Sequence, residues 1–312
     1  MTVFVVGGAG FIGRRLIPLL VARGERVVCM DINPGQVDFG HLGEQVRMVR
    51  GDVTQFDDVI SNMSAARPDR VINLSYHISS DLPPHVATKL NVVGMDNCFE
   101  AARLCEVGHT VYASSLAVSG LQSHFGERLV NEDDPCHGDK QYAVNKIFNE
   151  FQARDYREKY GMTITGVRPA NVTGPDKIFG SVDHVNCMVQ PARGQTVSFP
   201  HRDAMRIPIH VDDMAEIFAR VLLSDSPKHS IYNSGGNSMS LGELADMVRG
   251  FLPDARIEFE QETGGRELSG NYLIDNTRLV EEFQVQFPPF RQRVMETIND
   301  VRRAEGLPLV EA

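Results

Sequence analysis

Tyr142 and Lys146 stand four residues apart in QYAVNK, inside a stretch with helical spacing, which puts a phenol and an ammonium on one helix face. A phenol is a poor base near neutral pH because its ordinary pKa is about 10. A neighbouring ammonium favours the phenolate and brings it toward the range where it can take a proton from a substrate hydroxyl. Ser115, closing the run HTVYASS, offers a hydroxyl that can orient the same oxygen. A second set of residues is built for an anion. Gly7, Gly10 and Gly13 of GGAGFIG follow the β-branched run TVFVV directly and lead into a helix-compatible segment. Gly7 permits a tight turn, Gly10 lets the backbone approach a pyrophosphate and Gly13 lets the helix pack on the strand, with helix amides aimed at the anion. Asp31 ends the next apolar run, where a carboxylate accepts hydrogen bonds from an adenosine ribose and repels a 2′-phosphate. Ile32 and Asn33 add no arginine, so these residues point to NAD rather than NADP. Taken singly, a Tyr and Lys at this spacing are a surface pair and a strand-closing serine is a cap. Behind a dinucleotide loop, and in this order, they are the equipment for moving a hydride and a proton at a carbon bearing a hydroxyl.

Such side chains need a rigid scaffold. Short β-branched runs at 2–6, 26–30, 46–50, 70–75, 109–115 and 162–168 alternate with helix-compatible stretches at 11–22, 86–106 and 141–160. Continuous apolar strands separated by helices predict a parallel sheet covered on both faces, hence an α/β chain with a doubly wound, Rossmann-type sheet. After Arg168 the breakers Pro169, Gly174, Pro175, Gly180, Pro191, Gly194, Pro200 and Pro208 interrupt that rhythm, and helical spacing returns at 212–223, 241–251 and 291–303. The expected division is a cofactor-binding domain over 1–172, with about 209–235 returning to it, and a smaller mixed α+β substrate lobe from 173–208 and 236–312.

Composition narrows the partners. The chain has 312 residues, 42% hydrophobic and 23% charged, enough for a sizeable core, and its formal net charge of −10 argues against nucleic acid or an anionic membrane surface. Cys29, Cys98, Cys105, Cys136 and Cys187 are scattered without a CxxC pair, so neither a disulfide framework nor a zinc site is expected, and a cytoplasmic location fits. No run approaches the roughly 18 apolar residues of a membrane span, and no secretory leader is expected. The ten histidines form no HxxxH pair, so no metal is expected; His184, His201 and His210 are either substrate contacts or ordinary polar groups. Met188, Met205 and Met239 read as core packing, and Asp212 with Asp213 as the cap of the following helix. Asp52 in Gly51-Asp52-Val53 is either an adenine contact or a turn residue capping a helix.

Together, GGAGFIG, Asp31, GDV at 51–53, NVVGMDN at 91–97, VYASSLAVSG at 111–120, YAVNK, RPANVTGP at 168–175 and IHVDDMA at 209–215 resemble the extended short-chain dehydrogenases/reductases, also called the NAD-dependent epimerase/dehydratase family, and among them nucleotide-sugar epimerases. The resemblance implies Tyr142 as catalytic base, Lys146 as the residue that lowers its pKa and holds the nicotinamide ribose, and Ser115 as the catalytic hydroxyl. It implies Gly7, Gly10, Phe11, Ile12 and Gly13 around the pyrophosphate, Asp31 on ribose, Asp52 and Val53 at adenine, and Leu74, Ser75 and Asn91 along the cofactor cleft. Asn171 and Val172 would face cofactor and substrate, and Arg206 and Arg266 would meet a substrate diphosphate. It also implies a homodimer formed by the helices around 87–107 and 141–160. Ser119, Ile207 and Tyr76 depart from the family pattern and count against a nucleotide sugar. The first expectation is a sugar-nucleotide 4-epimerase-like reaction on retained NAD. The alternatives are a dehydrogenase or reductase of a small hydroxy or keto compound that releases NADH, and a non-catalytic NAD-binding scaffold.

Overall fold

The computed structural model describes residues 1–78 and 82–311. The β-branched runs form β1 (Thr2–Val6), β2 (Arg26–Asp31), β3 (Val46–Arg50), β4 (Arg70–Asn73), β5 (His109–Ala113) and β6 (Ile164–Arg168). They are connected through α1 (Gly13–Ala22), α2 (Phe56–Ala66), α3 (Pro84–Thr88), α4 (Gly94–Leu104) and α5 (Gln141–Tyr160). Every strand pair is parallel, with spatial order β11-β6-β5-β4-β1-β2-β3, where β11 (Ile231–Asn233) returns from late in the chain. The chain winds outward from β1 through β2 to β3, then reverses through β4, β5 and β6. The crevice at the carboxyl ends of β1 and β4 is therefore the switch point of a doubly wound sheet, where ligands bind in this architecture.

Alternation along β1 assigns its side chains to two layers. Val3 and Val5 pack with Leu16, Ile17 and Leu20 of α1, and with Met214, Phe218 and Leu222. Phe4 and Val6 pack on the other face with Val59 and Met63 of α2 and Cys98, Ala101 and Ala102 of α4. Three details differ from the expectation. The helix expected at 86–106 is interrupted by a wider π-helical turn, Lys89–Val93, between α3 and α4. α2 was foreseen only as the helix that Asp52 would cap, although Phe56, Val59, Ile60 and Met63 have helical spacing. The first helix starts at Gly13 rather than Phe11, because residues up to Ile12 form the turn that carries the glycines.

The later chain contributes β7 (Asn171–Thr173), α6 (Asp183–Ala192), β8 (Val197–His201), β9 (Met205–Arg206), β10 (Pro208–His210), α7 (Val211–Leu223), β12 (Met239–Ser240), α8 (Leu241–Arg249), β13 (Ile257–Gln261), α9 (Thr277–Phe283) and α10 (Phe290–Ala304). β7 pairs with β10 and β8 with β13 in parallel, and β9 pairs with β12 antiparallel. Val185, Met188 and Val189 of α6, Leu244 and Val248 of α8, and Val294, Ile298 and Val301 of α10 form an apolar cluster separate from the sheet layers. Proline did not exclude a helix here: Pro191 lies in the last turn of α6, and the helix ends directly after it. The cap of α7 is His210 rather than the two aspartates, with its Nδ1 accepting from the Asp212 amide while Asp212 and Asp213 occupy the first turn, where the dipole favours them. Among the described residues no helix is long and apolar enough to cross a membrane.

Candidate active site

The glycine turn sits at the end of β1. Gly7 has φ +75°, and a Cβ there would lie 2.7 Å from the Ser75 backbone nitrogen. A Cβ at Gly13 would lie 2.4 Å from the Gly8 carbonyl oxygen, so α1 approaches the turn more closely than any side chain allows. The Asp31 carboxylate, at the tip of β2, accepts from the Ala9 amide at 3.1 Å and the Asn33 amide at 3.0 Å, holding the turn against the sheet. The Phe11 and Ile12 amides find no acceptor among the described residues. Free amides at a helix start, a glycine cradle and a carboxylate with lone pairs left over fit the diphosphate and ribose of a dinucleotide.

The other expected cofactor residues divide into groups that frame this turn and groups that serve the backbone. Leu74 continues β4, its amide donating to the Val6 carbonyl, and Ser75 donates through both its amide and its hydroxyl to Asn73 Oδ1. Asn91, buried in the π-helical turn, accepts from the His77 amide and donates to the His77 carbonyl, each at 3.0 Å, pinning the segment after β4. Asp52 turns its carboxylate to the Thr54 amide at 2.9 Å, and Val53 is buried against Gly94. Phe11 backs onto Gly174 in the loop after β7.

Ser115, Tyr142 and Lys146 converge at the end of β5. Ser115 Oγ accepts from the Ala117 amide at 3.1 Å, capping the short turn Leu116–Ser119, and its hydroxyl lies near enough to the Tyr142 phenol to favour the phenolate. Desolvation raises the Tyr142 pKa, and the Ser115 hydroxyl opposes it. Lys146 is buried at the next turn of α5, with its Nζ donating to the Ala113 carbonyl at 2.5 Å and desolvation lowering its pKa. Lys146 Nζ lies 3.2 Å from the Tyr76 ring centroid and 5.9 Å from that of Tyr142. Tyr76 packs edge-on against Tyr142, with centroids 5.4 Å apart at 88°.

Glu150 continues the spacing of Tyr142 and Lys146 by one more turn, a signal already present in the sequence. Its carboxylate takes the Ser114 hydroxyl at 2.5 Å and a two-pronged bond from buried Arg168 at 2.8 and 2.9 Å, and its charge supports the Lys146 ammonium.

The residues expected at the substrate are engaged within the chain. Arg206 Nε bonds Asp183 Oδ2 at 2.9 Å, its Nη2 bonds the same oxygen, and Nη1 donates to the Met205 carbonyl at 2.6 Å. Burial pushes the Asp183 carboxyl up, but bonds from His184 and Arg206 overcome this and leave its pKa below the ordinary carboxylate range. Lys177 lies close enough to feel Asp183; burial lowers its pKa to about 8 and its Nζ donates to the Val172 carbonyl at 2.8 Å. Arg266 donates to the Tyr272 hydroxyl at 3.0 Å and to Glu127 at 3.3 Å, on the wall of a cavity of about 510 Å³ that also includes Gln122, Asp203 and Glu267. Asn171 Oδ1 accepts from the Ile207 amide at 2.9 Å. Ser119 and Ile207 are buried, Ile207 against Leu116 and Tyr272. His184 is fully buried against Asp183 and the Val172 carbonyl, and His201 bonds the Thr263 carbonyl. No local signal revealed Asp183, because its pairing with Arg206 exists only after β9 is laid beside α6.

The comparisons with known proteins agree with this geometry. A model described as the NAD dependent epimerase/dehydratase family matches residues 3–235. The UDP-glucose 4-epimerase of Mycolicibacterium smegmatis is 31% identical over 232 residues, 70% of this chain and 72% of that protein. The dTDP-4-dehydro-6-deoxy-D-allose reductase of Streptomyces bikiniensis is 27% identical over 319 residues, 95% of this chain and 94% of that one. The crystal structure of the Thermus thermophilus UDP-glucose 4-epimerase in complex with NAD superposes with a TM-score of 0.84 at 25% identity, covering 97% of this chain and 100% of the other. A glycine turn backed by Asp31, a Ser115–Tyr142–Lys146 group at the end of β5 and a family match over residues 3–235 lead to one assignment: the chain is an NAD-dependent enzyme of the NAD dependent epimerase/dehydratase family.

Proposed function

We propose that the enzyme carries out a sugar-nucleotide 4-epimerase-like reaction, oxidising a secondary alcohol to a ketone and reducing it again from the other face. The observation that carries this reading is the convergence of Ser115, Tyr142 and Lys146 at the carboxyl edge of the sheet, beside the glycine turn. NAD, when bound, supplies the hydride acceptor and then the donor. Tyr142 takes the hydroxyl proton as the hydride leaves the same carbon, and returns it in the second half-reaction. Ser115 would hydrogen-bond the reacting oxygen, and Lys146 would hold positive charge behind the phenol and could meet the nicotinamide ribose. Gly7, Gly10, Phe11, Ile12 and Gly13 would hold the diphosphate, Asp31 the adenosine ribose, and Asp52, Val53, Leu74, Ser75 and Asn91 the remaining cleft. Asn171, Arg206 and Arg266 would meet the substrate. Residues 1–172 and 209–235 form the cofactor domain in this reading, and 173–208 with 236–312 the substrate lobe, supported by the separate apolar cluster of α6, α8 and α10.

A second reading, a dehydrogenase or reductase that exchanges its cofactor, is favoured by one observation: Arg206 already spends its charge on Asp183. Incubation with UDP-glucose and NAD separates the two. Appearance of the C4 epimer without free NADH is expected; stoichiometric NADH release would sink the epimerase reading. Tyr142→Phe should lower turnover by at least about 10²-fold while NAD still binds, as for loss of a general acid–base group.

We also propose a homodimer. Val144, Phe148 and Phe151 of α5 and Val93 and Leu104 beside and on α4 are 43–50% exposed, apolar helix surface of the kind that a second copy covers. The five cysteines are free thiols, which supports a cytoplasmic setting.

A further inference from the structure

We propose that Tyr76 is a positioning residue of the hydride-transfer site, whose ring face seats the Lys146 ammonium and keeps it charged beneath Tyr142. The inference rests on the acid–base reading of Tyr142 above and adds to it a residue that neither the motifs nor the comparisons assign.

Lys146 is buried, and burial by itself favours the neutral amine. Three things around it oppose this. The Ala113 carbonyl takes one N–H at 2.5 Å, Glu150 one turn along α5 contributes a negative charge, and the face of Tyr76 lies 3.2 Å from the nitrogen. Glu150 is itself committed to Arg168 and Ser114. Beside the Ala113 carbonyl, the ring is therefore the group against the ammonium that is not already bound to another cation. A desolvated ammonium over an aromatic face is attracted by the ring quadrupole more strongly than at an exposed site.

The contact reaches the reacting oxygen through geometry. The same ring meets Tyr142 in a T-shaped contact, so one side chain touches both the ammonium and the phenol ring and sets how they sit relative to each other. Tyr142 is otherwise faced by Ser115. On its far side Tyr76 packs against the cluster of Met95, Phe99 and Tyr112, which holds the ring in place. Its hydroxyl is buried without a partner, so the contacts that define its position are those of the ring and not of the oxygen. A side chain without a π-face would leave Lys146 to lose its proton at lower pH, and a neutral amine no longer favours the phenolate. The Tyr142 midpoint should then move up.

The test is a phenolate absorbance titration of the NAD-loaded protein, with each form compared to the same form carrying Tyr142→Phe so that only Tyr142 contributes. Tyr76→Phe keeps the face and should leave the Tyr142 midpoint where it is in the unsubstituted protein. Tyr76→Leu keeps apolar bulk without the face and should raise the midpoint by about one pH unit; Tyr76→Met serves if the leucine form does not fold. Coincident midpoints in all forms overturn the proposal, as does a phenylalanine form that shifts with the leucine form. A Tyr142 signal missing from the unsubstituted protein itself would instead remove the acid–base assignment, and the seat with it.

Discussion

At the residue scale, the arginine expected to meet a diphosphate arrives with an anion of its own. Asp183 opens α6 and grips Arg206 through two guanidinium nitrogens, while Lys177 and His184 crowd the same carboxylate. A diphosphate has to compete with Asp183 for that guanidinium and approach the carboxylate as it does so. Asp183→Asn keeps the shape, removes the repulsion and frees the arginine, so UDP should bind about tenfold or more tightly, a change of about 1.4 kcal/mol in calorimetry. An unchanged UDP affinity would mean that Arg206 takes no part in substrate binding. Glu150 is the counterexample among half-buried acids: bonded by Arg168 and Ser114, it serves Lys146 rather than competing with a ligand.

At the scale of elements, α5 carries two faces with different work. Residues 142, 146 and 150 follow one another at one-turn spacing toward the sheet, and Val144, Phe148 and Phe151 line another side left open to solvent, with the two phenylalanines stacked at 6.2 Å. A helix exposing that much apolar surface is stable in water only if something covers it. Phe148→Glu together with Phe151→Glu should convert a dimer into monomers in sedimentation experiments while leaving NAD affinity unchanged, because neither side chain faces the cleft. A wild-type chain that sediments as a monomer would remove the dimer proposal. The π-helical turn at Lys89–Val93 has a related use. It brings Asn91 against the segment after β4, the backbone that carries Tyr76.

At the scale of the whole molecule, stability should depend on pH through a histidine far from the chemistry. His109, at the start of β5, is fully buried, bonded to Thr165 Oγ1 at 2.9 Å, with its pKa lowered to about 4 by burial and then by the Arg70 charge. The folded value lies below the unfolded one near 6.5, so the folded chain binds fewer protons. The contribution is fully present above about pH 6.5 and is lost as pH falls through the window down to about 4, on the order of 3 kcal/mol. His109→Gln, which keeps a hydrogen-bonding group toward Thr165, should flatten the fall of Tm between about pH 6.5 and 4 relative to the natural chain. Equal slopes would show that carboxylates alone cause the loss.

Local chemistry was enough to read the doubly wound sheet, the glycine turn with Asp31, and the Ser115, Tyr142 and Lys146 group, because each depends on spacing within one strand, turn or helix. Strand runs such as VRMVR became β3 with the expected bounds, since valine and methionine alternating with arginine suit a half-buried strand at the sheet edge. What required the folded chain was every relation across distance. Packing decided that Lys146 would seat its ammonium on the face of Tyr76, that Arg206 would close on Asp183, and that His210 would cap α7. These outcomes follow from desolvation and from competition among charged partners that are remote in the chain. A linear sequence specifies the charges, but only the tertiary arrangement sets which of them meet.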